Sequence, residues 1–293
     1  MKKLSPSPWL LLLGCAALLA LPLHADPFGD YWYQGKAEIT SYDLEQARYG
    51  EVHPGHAVLI FVTEDFSKTK QVKLDRPSRA GDDRVGVLKL NFTKNFHTGI
   101  YPYSMMSSIF SPIEDAVSPL KITTTSQEWC GHTFAQLNRT AEGYQIQGNS
   151  YFESEGDESL TVANPLTEDG LWNTLRLAPE LLPTGDIELI PGTMYLRLRH
   201  VPWGPRKASA SLTPVEGSFG LMAYTLEYPD LGRTLTLHFE KSFPHRIQGW
   251  EEAYRSGDST LTTRATLKKR ILNDYWTRNS LADAALRKEL GLD

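Results

Sequence analysis

Apolar and polar side chains alternate one for one along most of this 293-residue chain, and that two-residue period restricts its fold more than any other feature. Successive side chains of an extended strand point to opposite faces, so the rhythm suits strands with one face in a core and the other in water. Ala37, Ile39 and Ser41 alternate with Glu38, Thr40 and Tyr42. The run from His56 to Thr63, with AVLIFV at its centre, is denser and reads as a strand buried on both faces. Further strands are predicted over 69–74, 85–92, 120–128, 133–138, 144–152, 193–200, 207–212, 221–228, 234–239, 246–254 and 261–272. Turn signals such as Gly81-Asp82, Glu142-Gly143 and Pro229-Asp230 fall between them.

Helical spacing is rare. Met105, Met106, Ile109 and Phe110 predict a short apolar helix over 104–110, and 171–177 reads as another. The clearest is C-terminal: Ser280 stands as N-cap with Asp283 three positions on, Leu281, Ala285, Leu286 and Leu290 share one side, and Gly291 follows. No Gly/Ser linker, Pro-rich tract or repeat divides the pattern. The expectation is a mainly β protein, with one β-rich domain over 26–293. Its single large antiparallel sheet of about a dozen strands curls into a half-barrel or barrel, with a few short helices and a C-terminal helix packed on the sheet.

Residues 1–25 read as a signal peptide. Lys2 and Lys3 precede an unbroken apolar stretch from Trp9 to Leu21, Pro22 breaks it, and the small Ala25 stands before Asp26. The stretch is short for a membrane span, which needs about 20 apolar residues, and no later segment approaches it. Leu12-Leu13-Gly14-Cys15 offers a second route, since it resembles the lipobox of bacterial lipoproteins and would make Cys15 a lipid anchor. The expected location is therefore exported, in the periplasm or cell envelope, with an outer-membrane lipoprotein as the alternative.

Removing residues 1–25 takes Lys2 and Lys3 from the 30 basic residues and none of the 35 acidic ones, so the remainder carries a formal charge of −7 against −5 for the whole chain. A nucleic-acid binder presents a basic face, and the densest basic cluster, Lys268-Lys269-Arg270, sits in an alternating run that reads as a solvated strand edge. Nucleic acid is excluded as a partner. Of the two cysteines only Cys130 lies beyond the signal segment, so no internal disulfide is expected and core burial must hold the fold.

Glu128-Trp129-Cys130-Gly131-His132 is the one dense run of reactive side chains. On an unbroken strand Glu128, Cys130 and His132 would share a face, as a zinc site or a Cys/His nucleophile pair requires. Gly131 argues for a turn there instead, and the simpler account of Cys130 is a small buried hydrophobe. The remaining histidines stand apart, and the acidic group Glu153, Glu155, Asp157 and Glu158 around Gly156 lacks EF-hand spacing and reads as a hairpin tip. There is no G-x-S-x-G, Walker A or G-x-G-x-x-G motif. No cofactor and no metal are expected.

Aromatic residues are 11% of the chain, enough to line a site as well as fill a core. A concave sheet carrying Tyr101, Tyr103 and Trp172, with Met105, Met106, Ile109 and Phe110 as a lid, would hold an apolar ligand. The competing account is that these residues fill the core.

The segments GKAEITSYDLEQARYGE (35–51), AVLIFVTEDFSKTKQVKLD (57–75), LKLNFTKNFHTGIYPYSMMSS (88–108) and QEWCGHTF (127–134) resemble an uncharacterised family of exported β-rich bacterial proteins. The likeness covers nearly all of the chain beyond the signal segment and contains no motif of known mechanism. Some members carry the name of the Maf septum-formation inhibitors, cytoplasmic nucleotide pyrophosphatases that begin with an S-x-S-P-R-R-like loop; this chain has no such loop. The strand-rich plan is also similar, in architecture only, to the half-barrel carriers LolA and LolB. The resulting expectation is a non-enzymatic envelope protein that binds a hydrophobic small molecule or lipid in a concave sheet. The alternatives are a Cys/His-dependent enzyme, with or without zinc, and a structural subunit that docks on another envelope protein.

Overall fold

The computed structural model describes residues 26–163, 166–256 and 258–292. The signal segment, with Cys15 and Ala25, lies outside the described residues. A short helix α1 (Pro27–Trp32), capped by the Asp26 side chain, leads into the strands β1 (Ala37–Arg48), β2 (Glu51–Ser67), β3 (Arg84–Thr98), β4 (Tyr101–Pro112), β5 (Lys121–Glu128), β6 (Gly131–Arg139), β7 (Tyr144–Asn149) and β8 (Glu158–Val162). After these come α2 (Glu168–Leu177), β9 (Gly185–Leu189) and α3 (Thr193–Arg199). The strands β10 (Arg206–Pro214), β11 (Leu221–Tyr228), β12 (Arg233–Glu240), β13 (Ile247–Ser256), β14 (Ser259–Asn273) and the short C-terminal helix α4 (Ala285–Glu289) complete the chain.

All fourteen strands belong to one antiparallel sheet, ordered β8-β7-β6-β5-β4-β3-β2-β1-β14-β13-β12-β11-β10-β9. The sheet is curled and not closed. Its middle is the seam between the first and last strands, β1 and β14, and its two edges, β8 and β9, are consecutive along the chain. Both edges are five-residue strands, and shortness blunts their tendency to pair with another chain.

The alternation sorts side chains to two faces of the sheet, but over 37–42 both faces are buried, instead of one lying in water as expected. Tyr42, Leu44, Leu59, Phe61, Leu90, Phe92, Leu237 and Trp250 fall on the concave face and join one large buried cluster. Val58 and Val62 fall on the convex face with Ala37 and Ile39, where Leu290 from the C-terminus covers them. The predicted two-sided burial of 56–63 and the packing of the C-terminal helix therefore both appear. The Ser280/Asp283 capping box is present, though it caps a 3-10 turn over Leu281–Ala284 that runs into α4.

Several sequence expectations are corrected. Pro54-Gly55 does not bound a strand; β2 runs through it, and a side chain at Gly55 would meet the Asn95 carbonyl at 2.4 Å, so glycine permits that close pairing. Residues 69–74 form a loop touching β2 through a single bridge at Lys73. The predicted helix over 104–110 is strand β4, and the predicted strand over 193–200 is helix α3. Lys268, Lys269 and Arg270 lie in a central strand, not an edge, with Lys268 paired to Asp43 and Arg270 donating to Thr40.

The chain crosses from one edge of the sheet to the other through the hollow. There α2 lies between β3–β4 and the opposite wing, with nine of its ten residues buried. Beside it, α3 packs over β4 and β5. Leu171, Trp172 and Leu175 of α2 and Met194, Leu196 and Leu198 of α3 join the main core. Each such side chain adds roughly 1.5–3 kcal/mol of burial. The concave side is thus filled by protein at its centre.

Candidate functional site

Three aromatic rings meet at the middle of the hollow: Phe92, Trp172 and Trp250, with centroids 5.0–5.2 Å apart. Around them lies a closed set of charges. Arg233 of β12 donates to both carboxylate oxygens of Glu168, at 2.5 and 2.7 Å, and through Nε to Glu252 at 2.8 Å. Tyr228 also donates to Glu168, at 2.7 Å. Lys94 of β3 stands 4.0 Å from Glu252, and Asp169 accepts the backbone N–H of Thr193 at 2.9 Å. Gly192 makes room for this network, because a Cβ there would meet the Glu168 carboxylate at 2.5 Å.

Burial, with the neighbouring Glu168 carboxylate, pushes Asp169 up to about 7. Burial likewise lowers the Lys94 ammonium. For Glu252 burial acts upward, but Arg233 and Lys94 outweigh it and hold the carboxyl below its usual range. The free space among these groups is about 30 Å³, close to the volume of one water molecule. No substrate fits there. The network ties α2 to both wings of the sheet, and the bidentate pair of Arg176 with Glu38 at 2.7 and 2.9 Å, itself wholly buried, ties it to β1.

A larger opening remains where α3 ends. Between α3, the concave face of β5–β7 and the loops 150–157 and 200–205 lies a cavity of about 260 Å³. Ala135, Leu196, Val201, Pro202 and Trp203 give it an apolar wall, and Trp203 lies against Gly148. Thr133, Asn149, Ser150, Arg197, Glu155 and His200 supply the polar wall. Arg197 is bound to Glu128, donates through Nε to Thr133 at 3.1 Å, and lies over the Phe152 ring at 4.5 Å. His200 is held by Glu155. At the cavity floor Thr124 and Thr193 share a hydroxyl hydrogen bond of 2.5 Å. A larger groove of about 490 Å³ holds the Arg84–Asp65 pair and Glu64, which pairs with Lys89, and is lined besides by Tyr33, Lys68 and Glu114.

The residues singled out in the sequence divide between these places. Glu128 is on the concave face, where it accepts from Tyr101 at 3.0 Å and from Arg197. Cys130 is exposed in the β5–β6 turn, not buried as its residue type suggested. His132, opposite Gln127 in the ladder, faces outward on the convex side. The turn at Trp129-Cys130 thus separates the three, and no group of His, Cys, Asp and Glu able to hold a metal occurs among the described residues.

Tyr103 and Met105 are buried in the concave core, and Tyr101 lies at its rim. Met106 and Phe110 point to the convex face, where Phe110 stacks on Phe66 at 4.7 Å. A strand cannot present Met105 and Met106 together, so the lid expected from helical spacing does not form. Trp172 belongs to the central aromatic cluster.

Sequence reasoning missed Arg197, Lys94, Arg233 and Glu252. A signal was there: Lys94 continues the concave series Leu88, Leu90, Phe92 and Phe96, as Glu252 lies between Trp250 and Tyr254. A charge on the apolar parity of a strand marks a buried polar network. Comparison with protein-family models and with curated proteins finds no match for this chain.

Proposed function

We propose that this is an exported, non-enzymatic envelope protein that binds a small hydrophobic or lipid-like ligand, and that it does so at the α3 end of the concave sheet. The observation carrying this reading is the cavity of about 260 Å³ with an apolar wall around Trp203 and a polar wall on the other side. Small-molecule sites are concave, mostly apolar and marked by a few placed polar groups, commonly in about 300–1,000 Å³. The space falls just below that range, so it suits a short acyl chain or ring system with a polar end, and not a whole phospholipid. Glu155 and Glu158 line the wall, and the charge of Arg197 is already met by Glu128. An uncharged head with hydroxyl groups, which donate to carboxylates and accept from the other polar groups, suits these surroundings better than an anion, which would meet carboxylates.

The Cys/His alternative lacks support from geometry, since Glu128, Cys130 and His132 do not converge. Export is part of the proposal and rests on residues 1–25.

Two measurements test the binding. Native mass spectrometry of protein purified from its own envelope is expected to show a co-purifying neutral amphiphile. Tryptophan fluorescence titrated with a ten-carbon monoacylglycerol is expected to saturate. The Ala135→Phe variant, which fills the cavity, should weaken that binding by at least roughly tenfold, about 1.4 kcal/mol. A bare mass together with a flat titration, or equal binding by the variant, would overturn the reading.

A further inference from the structure

In the first wing, the turns at one rim of the sheet present exposed aromatic and apolar tips. The odd-numbered strands of the first wing all run to the same rim, so their turns line up there: Tyr49-Gly50, Gly99-Ile100, Trp129-Cys130 and the loop that opens with Ser150, Tyr151 and Phe152. The residues named at these tips are uncharged, and the last loop continues through Glu153, Glu155 and Asp157. Tyr49 is 67% exposed, Ile100 81%, Trp129 65% and Tyr151 66%.

Ring contacts join the tips into a row. The Tyr49 and Tyr103 hydroxyls are 2.7 Å apart, Tyr103 and Tyr101 lie at 5.2 Å, and Tyr101 and Trp129 at 6.1 Å. The Tyr151 ring covers Gly131, where an added Cβ would meet it at 2.8 Å, and touches Phe152, which touches His200. The opposite rim differs. Its loops carry Lys68, Lys70, Lys73, Asp75, Arg76 and Arg79 after β2, Glu114 and Asp115 after β4, and Lys241 after β12. Exposed Tyr33, Val72, Phe219, Trp276 and Leu281 are scattered on that side, on separate segments.

We propose that the aromatic rim seats in the headgroup layer of a phospholipid bilayer, with Ile100 and Trp129 deepest. Tyr and Trp join an apolar ring to a polar tip and concentrate at membrane–water interfaces for that reason. A protein partner would be expected to meet a face that has a polar surround around its apolar centre; here the apolar groups are the outermost atoms of four separate turns along an edge. The tips hold no basic cluster, so the attachment depends on burial of rings and not on anionic lipid. Ser150 and His200, at the mouth of the cavity, lie beside the same rim, so a ligand drawn from the bilayer would enter without crossing water. The docking stands independently of the cavity proposal.

The test uses the chain from Asp26 onward, so that neither the apolar signal segment nor an acyl anchor contributes, and vesicles of pure phosphatidylcholine. Expected are co-flotation with the vesicles, a blue shift of tryptophan emission quenched by brominated acyl chains, and little change between 50 and 500 mM salt. The double variant Ile100→Ser with Trp129→Ser should lower the bound fraction at least tenfold with an unchanged melting temperature, while Phe219→Ser binds like the parent. Three outcomes would overturn the proposal: no flotation of the parent chain, flotation unaffected by the double variant, or self-association without lipid that the double variant abolishes. The last would identify a protein-docking edge.

Discussion

Asp169 and Lys94 face the same closed space with opposite titration behaviour. A carboxyl whose folded value is raised keeps its proton when the unfolded chain has released it. Stability therefore falls as pH rises from about 4 to about 7 and is level above that. Glu252, held low, contributes stability above its ordinary range that is lost as pH falls through its folded value. For Lys94, lowered by burial, the penalty is present below its folded value and is relieved as pH rises toward the ordinary lysine range. Asp169→Asn keeps an acceptor for Thr193 and removes the buried charge. Its thermal stability should match the parent near pH 3.5 and exceed it by pH 8, by an amount on the order of 1–3 kcal/mol. An equal pH dependence in both proteins would show that Asp169 is not strained by its surroundings. These groups were legible only by parity: Lys94 occupies a position that its strand neighbours fill with Leu and Phe. What pairs with it comes from strands and helices far along the chain, and no local pattern names them.

Strands from hairpins were readable because one face of each is wet and the other dry. Residues 221–228 were bounded in the sequence as they are in β11. The misreadings occur where burial is not one-sided. Residues 193–199 alternate as TMYLRLR, yet they form α3, in which Met194, Tyr195, Leu196 and Leu198 are all buried; an element with β4 and β5 on one side and Arg233 and Tyr254 of the other wing against it need not keep a wet face. In β4 the adjacent Met105 and Met106 look like one apolar patch in sequence, but the strand sends Met105 inward, 1% exposed, and leaves Met106 40% exposed. Chemical denaturation should separate them: Met105→Ala is expected to cost about 2–5 kcal/mol, and Met106→Ala no more than about 0.5 kcal/mol. Comparable losses would restore a helical lid. The cavity at the end of α3 was missed for the same reason, since its wall depends on where that helix stops and on the turn over 200–205.

Across the molecule, composition and period told of one large curled sheet, but not of the order of its strands, which depends on pairings between residues more than two hundred positions apart. The seam of β1 with β14 is the telling case: Ala37 lies opposite Asn273. Removing residues 259–293 should leave β1 and β13 each with an open side in the middle of the sheet, and thermal melting should lose its cooperative transition. Removing only 281–293 uncovers the convex contact of Leu290 and should cost roughly 1.5–3 kcal/mol. A cooperative melt of the shorter chain at the parent temperature would mean that the two wings hold together without the seam. A chain made from its N-terminus onward has a further constraint. Its opening strand finds one neighbour almost at once and then waits, bare along its other flank, until residues 259–273 are synthesised more than two hundred positions later; during that interval the newborn polypeptide carries a sticky margin that a holding factor, or prompt passage through a narrow conduit, would have to shield.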